Sequence, residues 1–149
     1  MYFTASRIRI ISDADSRKTL LLILLLIVPY TETTEVAQQE LRTNARPKLT
    51  GHLEIMASYN VVFVGYPIWW GTIPMPVASF LSEYDFSGKT IIPFCTHEGS
   101  QLGRSVADIK KMCPQATILD GLAIRGGDVK NAQDEVSGWL REIGMTSKK

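Results

Sequence analysis

The sequence predicts an α/β fold, with helices on both faces of a parallel sheet, in one domain spanning residues 1–149. Short β-branched runs alternate with segments of helical periodicity from residue 59 onward. A strand–helix–strand order needs right-handed crossovers, and these produce parallel strands covered by helices. The chain has 45% hydrophobic and 21% charged residues, which is typical of a globular protein with a buried core.

The N-terminal part of the chain is the least regular. We expect residues 1–4 (MYFT) and 20–28 (LLLILLLIV) to be strands, the second buried on both faces. Basic residues precede the second run, so an export signal is the alternative, although Asp13 and Asp15 interrupt the basic region. The run is too short to span a bilayer, which needs about 20 apolar residues. Residues 29–57 predict a long polar connection with a single helical turn.

Three strand–helix pairs are predicted in the remaining chain. The strands are residues 60–67 (NVVFVGYP), 90–96 (TIIPFCT) and 116–124 (ATILDGLAI). The helices have apolar stripes over residues 77–84, 102–113 and 129–143. Ser100 is the predicted N-cap of the second helix, and Pro93 is unusual for the centre of a strand. The predicted sheet has about five strands, a common size.

Charge and cysteine content exclude several function classes. The net charge is +1, without a clustered basic face, which argues against a nucleic-acid-binding protein. Cys95 and Cys113 have neither metal-ligand nor CxxC spacing. They are typical of packing thiols in a reduced cytoplasmic protein, with a single disulfide bridge as the alternative. The sequence has no recognisable catalytic triad, carboxylate pair or metal-ligand cluster, so we predict neither a catalytic side chain nor a metal site.

Polar and aromatic residues follow the predicted strands at the edge where parallel α/β sheets bind ligands. A single tryptophan is commonly a packing residue, but the adjacent Trp69 and Trp70 at a strand end favour a flat binding face. His97 is either a hydrogen-bond donor or a structural loop residue, and Glu98 is interpreted as a solvated carboxylate. Together with the loop backbone at Gly99, these residues predict a slot for a planar heteroaromatic ring.

Three long stretches of the chain resemble a bacterial flavodoxin-like family that binds flavin mononucleotide (FMN). They are YNVVFVGYPIWWGTIPMPVASFL (59–81), DFSGKTIIPFCTHEGSQLGRSVADIKKMCP (85–114) and ATILDGLAIRGGDVKNAQDEVSGWL (116–140). The resemblance implies a three-layer flavodoxin-like sandwich with a five-stranded parallel sheet of order 2-1-3-4-5. It implies that the isoalloxazine ring lies against Pro67, Ile68, Trp69, Trp70 and Gly71. It also implies that the ring's polar edge and the ribityl side are lined by Thr96, His97, Glu98 and Gly99.

The resemblance is incomplete over residues 1–19, which form a divergent or truncated N-terminal segment. Thr4 and Ser6, in YFTAS, match hydroxyl positions of the family's phosphate-binding loop. Residues 7–9 (RIR) stand where the family continues with glycine, asparagine and threonine. A phosphate group needs several backbone and hydroxyl donors in a concave nest. We therefore expect an atypical first strand and first helix in a chain whose start is truncated, frame-shifted or divergent.

Two functions follow from these patterns. The first is an FMN-binding redox protein, either an electron carrier or a small flavin reductase, with a redox partner protein or a small-molecule acceptor. The alternative is a cofactor-free flavodoxin-fold binding module, or a non-functional remnant, that self-associates as a homodimer through Trp69 and Trp70. We expect no nucleic-acid partner and no membrane span. The expected location is cytoplasmic, with export through an N-terminal signal as the alternative.

Overall fold

The computed structural model describes residues 6–12, 19–26, 30–49 and 51–146 of the chain. Six strands and four helices lie in these ranges. The strands are β1 (Ser6–Ser12), β2 (Thr19–Leu26), β3 (Val61–Pro67), β4 (Thr90–His97), β5 (Thr117–Ile118) and β6 (Leu122–Arg125). The helices are α1 (Tyr30–Arg42), α2 (Met75–Glu83), α3 (Ser105–Met112) and α4 (Gln133–Glu142). Two 3-10 segments, Met56–Ser58 and Gly126–Asn131, precede β3 and α4.

The strands form one sheet in which β3 and β4 are central. β2 pairs with β3, and β3 with β4, all in parallel register. β5 and β6 both pair with β4, also in parallel. Helices connect the successive parallel strands, because a parallel return needs a crossover. The predicted α/β class with a parallel sheet is confirmed, and residues 20–26 of the predicted 20–28 strand lie in β2.

The N-terminal strand pair differs in detail from the expected order 2-1-3-4-5. β1 is an antiparallel edge strand on β2, with Ser6 opposite Leu26 and Ser12 opposite Leu20. Six residues separate β1 from β2, whereas a parallel crossover needs about a dozen or more. The short connection therefore allows only the antiparallel pairing, and β2 is the strand that lies beside β3. The expected strand at residues 1–4 lies outside the described residues.

Helix α1 replaces most of the expected polar connection. It continues for 13 residues, where the sequence pattern predicted a single turn. Ala37 is buried and Leu41 packs against the core, but the rest of the helix has few apolar residues, so its periodic signal is weak. Asn44, with a φ of 50°, ends the helical region in the left-handed conformation.

The strand beside β4 contains a one-residue bulge. Ile91 pairs with Ile118 in β5, and Phe94 pairs with Leu122 in β6. Two residues lie between Ile91 and Phe94 but three lie between Ile118 and Leu122, so the β5–β6 side has one extra residue. Pro93 lies at this break. Because proline cannot donate to a strand ladder and is found in sheets mainly at edges and bulges, the bulge explains how β4 accommodates it.

Helix α2 lies almost entirely within the hydrophobic core. Residues 75–81 are all buried, and Phe80 is only 1% exposed. The rings of Phe80 and Phe86 pack edge to face with their centroids 5.8 Å apart. Pro76 lies in the first turn, where a missing N–H group costs little. This packing fixes the helix against the sheet and with it the loop that enters the helix from β3.

Helix α3 begins later than the sequence pattern predicted. The prediction that Ser100 is its N-cap is wrong, because the helix begins at Ser105. Gln101 and Gly103 have φ values of 52° and 50°, which are incompatible with a right-handed helix. The segment between Ser100 and Ser105 is instead an irregular loop that contacts the end of β3.

Candidate functional site

The carboxyl ends of β3 and β4 lie side by side and bring two of the predicted loops together. Pro67 pairs with Thr96 in the parallel register. The N–H of Ile68 donates to the carbonyl of Thr96 at 2.9 Å, which extends the pairing into the loop. Ser6 is paired with Leu26, so the backbone of Ser6 lies at this same edge of the sheet. Thr4 lies outside the described residues.

The two tryptophans occupy a tight turn, residues Trp69–Thr72, which we call the Trp turn. The N–H of Trp69 donates to the carbonyl of Thr72 at 3.0 Å, and the return bond is 3.1 Å. Trp70 and Gly71 have φ values of 51° and 77°, the signature of a type I′ turn. Glycine adopts this conformation freely, but a left-handed φ costs another residue about 1–2 kcal/mol. A bulky residue held at positive φ is rare, and such residues are concentrated at functional sites.

The two indole rings have different surroundings. Trp69 is partly buried, whereas Trp70 is 48% exposed. The Nε1–H of Trp70 donates to the carbonyl oxygen of Thr34 in α1 at 3.2 Å. Helix α1 therefore orients the exposed ring without covering it.

Contacts with α3 hold the Trp turn in place. The buried hydroxyl of Thr72 donates to Asp108 at 2.5 Å, and the Nε–H of Arg104 donates to the same carboxylate oxygen at 3.1 Å. The N–H of Arg104 also donates to the carbonyl of Gly71 at 2.9 Å. Gly103 packs so closely against Gly71 that a Cβ atom on Gly103 would collide with the carbonyl oxygen. Sequence reasoning missed Thr72 and Asp108, because 36 residues separate them.

His97 is fixed by its own loop. Its side chain is buried, with 7% exposure, and its Nδ1 accepts the N–H of Gly99 at 2.9 Å. In the neutral imidazole the other nitrogen, Nε2, then carries the proton. Gly99 has a φ of 144°, a conformation that is essentially restricted to glycine. The loop thus presents His97 as a donor in one orientation.

Thr96 and Glu98 flank His97 and are both exposed. Thr96 lies between Pro67 of β3 and Ile124 of β6 in the strand register. The carboxylate of Glu98 lies against the backbone of Gly126, where a Cβ atom would collide with it. The predicted residues of the two loops therefore meet at one edge of the sheet.

A buried polar contact beneath the loops was not predicted. The hydroxyl of Tyr66 donates to Ser105 Oγ at 2.9 Å, and Ser105 donates to the carbonyl of Leu102 at 2.6 Å. Burial raises the pKa of Tyr66 well above its ordinary value. The tyrosine therefore remains a neutral donor that ties the end of β3 to the first turn of α3. The sequence signal that could have indicated this contact is the tyrosine directly before the proline that ends β3.

The two thiols are buried and unbridged. Cys95 and Cys113 are both free cysteines, so the structure does not contain the alternative disulfide bridge. Burial raises the pKa of each thiol to about 11. Thiols with raised pKa values in apolar surroundings are unreactive, in agreement with their interpretation as packing residues. Within the described ranges, no group of three or more His, Cys, Asp or Glu residues could hold a metal ion.

The sequence of the chain matches a known family over most of its length. The profile of the family described as flavodoxin matches residues 29–143. The chain belongs to the flavodoxin family. Its sheet, its helices and the loops at the carboxyl ends of β3 and β4 agree with that assignment. No curated protein sequence matches the chain.

Solved structures share this flavodoxin-like fold. A candidate flavoprotein from Bacteroides eggerthii is 28% identical with a TM-score of 0.63, over 78% of this chain and 76% of that one. A candidate flavoprotein from Bacteroides uniformis is 25% identical with a TM-score of 0.60, over 73% and 69% of the two chains. A Lactobacillus acidophilus flavoprotein in complex with FMN is 17% identical with a TM-score of 0.56, over 71% of each chain. This last similarity concerns the fold alone.

The helices of the flavodoxin-family chain are short. None of those within the described residues is long and apolar enough to cross a membrane.

Proposed function

We propose that this chain binds FMN between the Trp turn and residues 96–99, and that it acts as a redox protein. The observation that carries the proposal is that an exposed indole and a fixed imidazole donor lie on neighbouring loops at the carboxyl edge of a flavodoxin-family sheet. This is the edge where parallel α/β sheets bind ligands. A Cβ atom placed on Gly71 or Gly99 meets no atom within 4 Å, so open space adjoins both loops. An aromatic face beside a polar edge fits the chemistry of a flavin ring.

Each loop has a separate role in this proposal. Bound FMN supplies electron transfer, and the protein orients the ring and tunes it. Trp69 and Trp70 lie against the ring and exclude water from it. His97 donates from Nε2 to an acceptor at the ring's edge, because its Nδ1 already accepts from Gly99. The carboxylate of Glu98 disfavours added negative charge on the ring and so lowers its reduction potential.

The remaining predicted residues position the cofactor. Pro67 and Ile68 join the Trp turn to β4 through the Thr96 carbonyl, which keeps the two loops in register. Thr4 and Ser6 supply hydroxyl groups toward the FMN phosphate in this proposal.

The overall charge helps to distinguish between the two possible redox roles, flavin reductase and electron carrier. A net charge of +1 gives little long-range steering toward a charged protein partner. We therefore favour a small flavin reductase, which acts on a small-molecule acceptor, over an electron carrier that depends on such steering.

The exposure of Trp70 also supports a second candidate function. An aromatic side chain that is 48% exposed can contribute to an apolar patch through which a cofactor-free protein self-associates. A homodimer joined through the Trp turn is the form of this candidate.

Titration with FMN and, separately, with riboflavin tests the proposed function. We expect the protein to quench FMN fluorescence and shift its visible absorbance bands. Riboflavin, which lacks the phosphate, should bind through the ring alone and more weakly. If neither flavin is quenched, the proposal is wrong, and a dimer in size-exclusion chromatography would then support self-association.

The variant Trp70→Asn separates ring binding from folding. Asparagine tolerates a positive φ, so the turn is kept while the indole is lost. Base–aromatic stacking of about 1–3 kcal/mol predicts that the flavin Kd rises about tenfold or more, with little change in the free energy of unfolding. The control is Trp139→Phe, because Trp139 lies on α4 and donates to the Asp120 carbonyl at 2.9 Å. Equal changes in flavin Kd for both variants would contradict a role for Trp70.

A further inference from the structure

A cavity of about 570 Å³ lies beside the last turns of α2, away from the Trp turn. Its walls come from residues 46–49, from Gly51 and His52, and from the side of α2 that includes Ser79, Ser82 and Glu83. Because α2 runs back from the carboxyl edge of the sheet, this cavity and the proposed flavin edge lie toward opposite ends of the helix. The cavity shares no lining residue with the Trp turn or with residues 96–99.

The cavity contains a buried hydroxyl without a partner. Ser79 is 7% exposed, and its Oγ has no hydrogen-bond partner within the described part of the chain. Leaving a buried hydroxyl unpaired is unfavourable, and such groups in native structures generally have a partner. Ser79 lines the cavity, so a ligand there can supply the missing acceptor.

Positive charge dominates the lining. Arg46 and Lys48 both line the cavity, and neither makes an ion pair with any residue the structure describes. Glu83 is the one carboxylate in the lining, and its Oε1 lies 2.7 Å from His52 Nδ1. The cations are therefore available to a ligand, while the carboxylate already has a partner.

The arginine is held in position by hydroxyl, side-chain amide and main-chain acceptors, all of them neutral. Its Nε–H donates to Ser82 Oγ at 3.2 Å, and Ser82 in turn donates to the Ala78 carbonyl at 2.8 Å. One terminal nitrogen, NH1, donates to Asn44 Oδ1 at 2.8 Å and to the carbonyls of Asn44 and Ala45 at 3.1 Å, while the other terminal nitrogen has no bond among the described residues. An arginine oriented by neutral acceptors keeps its full charge for an anion.

We propose that this cavity binds the phosphate group of a small phosphate monoester, held by Arg46, Lys48 and the hydroxyl of Ser79. Guanidinium and ammonium groups are the usual phosphate ligands, and charge-assisted hydrogen bonds are stronger than neutral ones. The volume is in the range of small-molecule sites, which measure about 300–1,000 Å³, and exceeds what a phosphate alone fills. Pro47 and Leu49 also line it and provide apolar surface for the organic part of the ligand.

Two probes test the site by NMR on the full chain: inorganic phosphate, and phenyl phosphate as a monoester with an apolar body. We expect the amide resonances of Arg46, Lys48, Leu49, Gly51 and His52 and of residues 79–83 to shift, with a Kd of about 1 mM for inorganic phosphate and a lower Kd for phenyl phosphate. No shifts, or shifts of equal size around exposed lysines such as Lys110 on α3, would overturn the proposal.

Variants of the lining residues test whether the ligand is negatively charged. Arg46→Gln should raise the phosphate Kd about tenfold, as expected for one charge-assisted contact, and Ser79→Ala should raise it about threefold or more. Glu83→Gln should lower the Kd, because it removes the only carboxylate of the lining. Lys110→Gln is the control and should leave it unchanged. A Kd that rises with Glu83→Gln or is unaffected by Arg46→Gln contradicts an anion site, whatever the outcome of the flavin titration.

Discussion

The two ends of helix α2 differ in how their polar groups are satisfied. Before its first turn, the carboxylate of Asp108 accepts hydrogen bonds from both the hydroxyl of Thr72 and the Nε–H of Arg104. Toward its last turn, Ser79 Oγ has no partner and Arg46 has no carboxylate partner among the described residues. The contrast indicates two kinds of binding region. At one end the protein itself supplies the hydrogen-bond partners, and at the other end a ligand would have to supply the missing ones.

The fixed end is consistent with the need to orient a planar ring. A site whose side chains are held by a second layer of contacts loses less conformational freedom on binding. The fixed arrangement holds the backbone of Trp70 at a positive φ of 51°, which is unfavourable for a residue other than glycine. Three of the four predictions below test the contrast between the two ends, and the fourth concerns the buried thiols. They run from the largest expected change in stability to the smallest.

The largest effect is expected for Gly103→Ala. The new Cβ would collide with the Gly71 carbonyl, and φ is positive at this position, so we expect the free energy of unfolding to fall by about 2–5 kcal/mol. The control is Gly88→Ala, where φ is 71° and no atom lies within 4 Å. There we expect only the cost of the left-handed conformation, about 1–2 kcal/mol. Urea denaturation measures both; equal losses would mean that the close contact with the Trp turn is unimportant.

A smaller loss is expected for Thr72→Val, which keeps the side-chain shape but removes the hydroxyl bonded to Asp108. Hydrogen bonds to charged groups contribute about 1.5–3 kcal/mol, so the free energy of unfolding should fall by about that amount. The matched control is Thr90→Val. Thr90 is the first residue of β4, at the end of the strand away from the Trp turn, and this variant should change stability little. If the two variants unfold at the same urea concentration, the bond to Asp108 does not stabilise the Trp turn.

The other end of α2 should respond with the opposite sign. Ser79→Ala removes a buried hydroxyl without a partner, so in phosphate-free buffer we expect a gain of about 1 kcal/mol in the free energy of unfolding. Ser82→Ala, one turn later, removes the bond to the Ala78 carbonyl and should be neutral or destabilising by about 0.5–1 kcal/mol. Chemical denaturation measures the free energy of unfolding of both variants. If it falls as much for Ser79→Ala as for Ser82→Ala, the Ser79 hydroxyl has a partner.

The smallest effect at neutral pH concerns the thiols. Burial raises the pKa of Cys95 and Cys113 from about 9.0 to about 11. The folded pKa is above the unfolded one, so this contribution to stability is complete below pH 9 and is lost as the pH rises toward 11. At pH 7 both states are protonated and the contribution is unchanged. Thiol labelling at pH 8 should be slow for the native protein and fast in denaturant; fast labelling of the native protein would contradict the burial of both thiols.

The parallel sheet and the position of the candidate site were predictable from local patterns. Short β-branched runs mark β3 and β4, and the rule that ligands bind beyond the carboxyl ends of parallel strands places Trp70 and His97 at one edge. That rule needs only the element order. It therefore predicts, without any knowledge of the tertiary contacts, that the two loops lie at one edge of the sheet, as they do; flavin binding at that edge stays a prediction.

The parts that were missed depend on weak or distant signals. Residues 7–10 alternate arginine with isoleucine, which is the pattern of a strand, but four residues are a weak signal. Helix α1 buries few apolar side chains, so it has little periodicity. The bond from Thr72 to Asp108 joins residues that are far apart in the chain, and no local pattern reports such a contact.

The bulge opposite Pro93 determines which residue accompanies the imidazole at the candidate flavin edge. With the extra residue, His97 is paired with Arg125 and Thr96 with Ile124. In the register of β5, where Ile91 is paired with Ile118, His97 would be opposite Ile124 instead. A strand slip of one residue moves every side chain to the other face. The bulge that accommodates a mid-strand proline thus pairs His97 with an arginine position in the register instead of an isoleucine position.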